Sequence, residues 1–178
     1  MCLFTRPISG VESSVPAAPT GWTEITHFAS GNGGTANYNA AMAVFTKVSD
    51  GTETGSATCT GTASIGQAQI HEFTASTVGN TGSVNNPGAT IAYAPSFTSL
   101  GDCLIMTWFA TNGGVAPSSQ TFGTRVNTFS SGSSSNTLTE DNTAGIVTYT
   151  QPDATRRMVW ASSNNFDGAV SVELGPPA

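Results

Sequence analysis

Apolar and polar residues alternate along much of this chain. In 145–151, Val147 and Tyr149 share one side while Thr148 and Thr150 share the other. In 169–174, Val170, Val172 and Leu174 oppose Ser171 and Glu173. A period of two belongs to the β-strand and predicts one buried face and one wet face. Runs rich in β-branched and aromatic residues, bounded by Gly, Asn, Pro and Ser, predict strands over 2–6, 22–28, 41–48, 57–61, 67–73 and 90–93. The same signals predict strands over 103–110, 124–129, 145–151, 157–161 and 169–174. Gly31-Asn32-Gly33-Gly34 and Asn112-Gly113-Gly114 supply the positive-φ positions of tight reversals, and Asp50-Gly51 is a hairpin signal. The Ser/Gly stretch 130–136 is expected to be an exposed loop, and 76–88, polar and without period, a bridge.

The strand pattern repeats itself. Cys2-Leu3-Phe4 matches Cys103-Leu104-Ile105, and Ala68-Gln69-Ile70-His71-Glu72-Phe73 matches Ala169-Val170-Ser171-Val172-Glu173-Leu174 at the same offset. Ala41-Met42-Ala43-Val44-Phe45 answers Ala144-Gly145-Ile146-Val147-Thr148, and Asp50 answers Asp153, two residues further along. Two similar β-halves bury their apolar faces most simply against each other. The expected fold is therefore all-β: one two-sheet antiparallel β-sandwich, jelly-roll-like, spanning 1–178. Its halves are about 1–75 and 101–175, joined by a linker over 76–100.

Composition narrows the function classes. Only 9% of residues are charged, against about 25% in an average soluble domain, and Ser, Thr, Asn and Gly take their place. Such a surface suits β-structure packed against neighbours in an assembly. Five basic residues and a net charge of −6 argue against nucleic acid as a partner. No run approaches the roughly 20 apolar residues of a membrane helix, so no membrane partner is expected. The first residues lack a basic stretch leading into a long apolar one, so a secretory leader is not expected. Cys2, Cys59 and Cys103 are an odd set without a disulfide spacing; Cys2 and Cys103 read as small buried hydrophobes in a reducing cytoplasm.

Reactive constellations are sparse. His27 and His71 lie in similarly patterned strands and could approach each other, but further ligands at metal spacing are missing. Glu72 and Glu173 are equivalent carboxylates, a pairing that glycoside hydrolysis would need. Repetition explains them without chemistry. Gly61-Thr62-Ala63-Ser64-Ile65-Gly66 is one residue too long for a nucleophile elbow, and Gly31–34 has no lysine to complete a phosphate loop. Asp50-Gly51-Thr52-Glu53 and Glu140-Asp141-Asn142 lack the alternating ligands of a calcium loop and read as solvated turns. No catalytic residue, metal or cofactor is expected. Trp22, Trp108 and Trp160 read as core, yet Trp22, with Tyr38, Asn37 and Asn39, also makes a candidate sugar contact: ring stacking plus amide hydrogen bonds.

Pro19-Thr20-Gly21-Trp22-Thr23, then Ala43-Val44-Phe45-Thr46-Lys47-Val48, a Gly51-Thr52-Glu53 turn and Ile70-His71-Glu72-Phe73 form a succession that resembles a module of tailed-phage and prophage structural proteins. The resemblance covers the first half; the second follows through the repeat. It implies a duplicated β-sandwich used for head decoration, minor tail parts or fibres. The expected function is a non-enzymatic virion structural protein, a capsid decoration or head–tail accessory protein assembled in the host cytoplasm. Its expected partners are major capsid or tail proteins and copies of itself, as a homo-oligomer or on a lattice. The alternative is a glycan-binding adhesion module of a tail fibre or surface protein that engages a host glycan.

Overall fold

The computed structural model describes residues 2–7, 15–30, 40–52, 63–73, 76–87, 90–111, 117–131, 134–152, 155–160 and 166–175. Fourteen strands are present among them: β1 Cys2–Pro7, β2 Thr23–Ser30, β3 Ala40–Thr46, β4 Ala63–Gln69, β5 Thr77–Pro87, β6 Ile91–Tyr93 and β7 Phe97–Thr98. The second series is β8 Cys103–Thr111, β9 Pro117–Gln120, β10 Thr124–Ser131, β11 Ser134–Thr143, β12 Thr148–Tyr149, β13 Arg157–Trp160 and β14 Phe166–Gly175. They pair as a four-stranded sheet β2-β3-β1-β4, a five-stranded sheet β10-β11-β8-β14-β5, a three-stranded sheet β6-β13-β9 and a ribbon β12-β7. Every pairing is antiparallel. The protein is all-β.

The four- and five-stranded sheets form a sandwich. Phe28, Met42 and Val44 of the first pack on Met106, Trp108, Ala110, Leu138, Val170 and Val172 of the second. Strand alternation then aims Phe109 and Ala169 the other way, where Ala92, Ala94, Met158 and Trp160 of the three-stranded sheet cover them. The central strands β8, β11 and β14 of the five-stranded sheet are thus buried on both faces. Its second face also carries Thr107, Thr111, Thr137, Thr139, Ser171 and Glu173, all fully buried. Hydroxyls there satisfy one another: Thr107 Oγ1 lies 2.8 Å from Ser171 Oγ, and Thr139 Oγ1 donates to the Thr107 carbonyl at 3.4 Å. The face expected to be wet is a hydroxyl-bearing interior.

A single arginine ties the outer layers together. Buried Arg156, just ahead of β13, sets its guanidinium 3.9 Å from the Tyr149 ring centroid, 5.1 Å from Phe122 and 5.5 Å from Phe97. Phe97 and Tyr149 belong to the β7–β12 ribbon and stack on each other at 5.4 Å, so the cation joins ribbon to sheet.

The structure corrects several expectations. The supposed linker 76–100 contains β5, β6 and β7, because Thr77–Pro87 pairs along β14 and completes the central sheet. The supposed loop 130–136 falls largely in a hairpin whose pairing runs to Ser131↔Ser134. The strand expected over 67–73 is Ala63–Gln69, since Gln69 is the last residue opposite β1. Of 145–151 only Thr148–Tyr149 pairs. The strand expected over 57–61, the glycine-rich turns 31–34 and 112–114, and Cys59 lie outside the described residues.

The two main sheets correspond in strand order: substituting β8, β10, β11 and β14 for β1, β2, β3 and β4 converts one order into the other, with β5 added at an edge. The residue matching is looser. Ala41–Phe45 lies in β3, whereas 144–148 follows the end of β11 and reaches only the start of β12.

Candidate interaction surfaces

The equivalent carboxylates part company. Glu72 follows β4 and is exposed, while Glu173 lies within β14 and is fully buried. An extra residue in β5 between the Val172↔Thr81 and Leu174↔Val78 pairs makes a bulge opposite Glu173. The carboxylate enters that bulge, accepting from the Asn80 amide at 3.0 Å and from the Leu100 amide at 2.6 Å. A Cβ at Gly79 would stand 2.8 Å from Glu173 Oε2, so any larger residue there displaces the carboxylate. Burial alone would raise the Glu173 pKa, but hydrogen bonds from Cys103 and the Asn80, Leu100 and Gly101 amides outweigh it and hold the carboxyl below its ordinary 4.5. Burial and the bond to Glu173 push the Cys103 thiol up, and Thr143 Oγ1 lies 3.0 Å from its sulfur. This network fastens β5 and the turn before β8 to the central sheet.

The histidines stand at opposite edges of the four-stranded sheet. His27, on β2, has Nδ1 2.7 Å from Glu24 Oε1. His71, beyond β4, packs its ring edge-on to Trp108 at 6.4 Å, and burial there lowers its pKa despite nearby Glu140. The expected approach of the two does not occur, because β3 and β1 lie between their strands. Glu140, Asp141 and Asn142 lie in β11 instead of a turn. Asp50 does build its turn, with Oδ1 accepting from the Thr52 amide at 2.9 Å. No group of three or more His, Cys, Asp or Glu that could hold a metal occurs among the described residues.

Of the candidate sugar contacts, Trp22 lies among the described residues. Pro19-Thr20-Gly21-Trp22 is a reverse turn, with the Trp22 amide donating to the Pro19 carbonyl at 3.0 Å and Gly21 at φ 81°. That turn packs Trp22, with Val15, on Ala43 and Phe45, the outer face of the four-stranded sheet. Tyr38, Asn37 and Asn39 lie outside the described residues.

Two surfaces went unread in the sequence. One is an open groove of about 220 Å³ between edge strands β2 and β5, lined by His27, Phe28, Ala29, Ser83, Val84 and Asn85. The other is a set of exposed apolar side chains at strand ends, Leu100 and Ile146 among them. Comparison with protein-family models, curated proteins and solved structures finds no match to this chain.

Proposed function

We propose that this chain is a non-enzymatic virion structural protein of a tailed phage, a capsid decoration or head–tail accessory protein working through subunit contacts. The observation that carries the reading is the pairing of a layered β scaffold with a surface poor in charge. A sheet covered on both faces is stiff, and hydroxyls and amides in place of ions suit contacts that salt does not dissolve. The resemblance of the Pro19–Thr23 and Ala43–Val48 segments to phage structural modules points the same way. The test is the copy number of the chain in purified particles, before and after a high-salt wash. A number matching a shell lattice position and surviving the wash is the expected result. Absence from particles, or loss in salt, overturns the proposal.

A second reading, the glycan-binding module, is favoured by the groove between β2 and β5. Ser83, Asn85 and a histidine held by Glu24 offer hydrogen bonds beside Phe28 and Ala29, and neither lysine nor arginine is among the described residues that line it. Its volume, below the roughly 300–1,000 Å³ of drug-sized pockets, suits a single sugar unit. A glycan array should give hits that His27→Ala removes. An empty array, or hits indifferent to that change, ends this reading.

A further inference from the structure

Among the described residues seven large apolar side chains are substantially exposed, and six of them flank strand termini that run toward the same end of the sandwich. Val78 opens β5 opposite Leu174, near the end of β14; Leu100 precedes β8; and Ile146 follows β11. In the five-stranded sheet these strand termini lie together, since β8 begins at Cys103 opposite Thr143 and runs beside β14 to Leu104↔Leu174. In the four-stranded sheet Val48 follows β3, and Ile70 and Phe73 follow β4, whose ends meet through Val44↔Cys2↔Gln69. The sheets are aligned end to end. Phe28 near the end of β2 sits against Gly168 near the start of β14, and Ile25 and Leu174 near the other ends pack on one shared cluster. The seventh residue, Val126, stands apart at a bulge in β10.

The geometry holds part of this end rigidly. Gly101 and Asp102 both take positive φ, 94° and 46°, and Gly101 lies so close to Gly145 that a Cβ there would come within 3.0 Å of its carbonyl carbon. The two turns therefore touch backbone to backbone and set Leu100, 64% exposed, beside Ile146, 72% exposed. Glu173 grips the Leu100 amide from below. Apolar residues on a well-anchored turn gain nothing from water there, and concentrated exposure of this kind marks a contact surface.

Charge selects the occupant. Among the described residues, the connections carrying these side chains hold Asp50, Glu72 and Asp102, all exposed, against one exposed cation, Lys47. A second copy meeting end to end would bring acids against acids. We infer that this end docks on a partner protein that presents an apolar patch rimmed by lysine or arginine. The inference rests on the structural-protein reading and names the face by which the chain would join a particle.

Particles assembled with Leu100→Gln/Ile146→Gln, with Glu72→Lys and with Val126→Gln test it against wild type. The two glutamines remove apolar surface without adding charge and leave the backbone amide at Glu173 in place. Incorporation at least tenfold lower for the double variant and reduced for Glu72→Lys, with Val126→Gln normal and all variants melting like wild type, is the expected result. Wild-type incorporation of the double variant overturns the docking end and leaves the structural role standing. Absence of the wild type from particles removes both. Sedimentation of the free protein adds a last arm: a dimer that the double variant dissolves assigns the end to a second copy and overturns the inference.

Discussion

Phe109→Ala and Trp108→Ala should each destabilise the protein by about 3–5 kcal/mol in urea unfolding, although the two residues are neighbours on one strand. Consecutive strand residues point to opposite faces, so in a sandwich of two layers one of them meets water. Exposed substitutions usually stay within about 0.5 kcal/mol. Here Trp108 faces the four-stranded sheet, in the cluster with Met106 and Val170. Phe109 faces the three-stranded sheet, against Ala92, Met158 and Trp160, with the Phe122 ring 5.7 Å away. Both rings are removed from water, at 3% and 0% exposure. The pair therefore reports on the number of layers directly. A Phe109→Ala variant as stable as wild type would mean that the far face of the central sheet is uncovered.

That doubly covered sheet also explains what the sequence did and did not reveal. Strands with apolar or alternating character were legible: 103–110, 124–129, 157–161 and 169–174 each coincide with an observed strand to within a few residues. The missed strands are polar. Thr77–Pro87 and Ser134–Thr143 contain Asn, Ser, Gly and Thr where a core strand would carry Val or Ile. Thr77–Pro87 is held as an edge strand by its ladder to β14, and in Ser134–Thr143 small hydroxyl side chains suffice between covered faces. Thr137 and Thr139 are fully buried, and Asn86 makes two hydrogen bonds to the Tyr93 backbone as a ladder residue would. Hydroxyl alternation reads as a wet face whether water or another layer lies over it, so periodicity alone cannot count layers. The surfaces were harder still. Leu100 and Ile146 are apolar residues beside glycines, and only folding brings their turns together. His27 and Ser83 meet across a groove between strands of different sheets, a relation with no signature in local spacing. Alternation sets Glu173 opposite Val170, Val172 and Leu174, but the bulge that receives it lies in 77–87, whose polar residues carry no strand period.

Glu173→Gln should cost about 2–4 kcal/mol near neutral pH, despite near-identical shape, because it sets an amide donor against backbone donors. The carboxylate accepts from Asn80 and Leu100 on its two oxygens, and Cys103 and Gly101 also donate to it. Glutamine keeps one acceptor oxygen and turns the other into a donor, so at least one buried N–H loses its partner. The pH dependence identifies the charge as the cause. The folded carboxyl binds its proton more weakly than the unfolded one, so the unfolded chain takes up more protons as pH falls. The stabilisation is complete above the ordinary value of 4.5 and is lost as pH drops through the lower folded value. The gap between wild type and Glu173→Gln should accordingly be widest near neutrality and narrow in acid, with wild type losing stability faster. Amide exchange offers a residue-level check, since Asn80 and Leu100 should exchange faster in the variant while the paired amides of β8 stay protected. A gap that is the same in acid as at neutrality would show that shape, not charge, holds β5 and the turn before β8 in place.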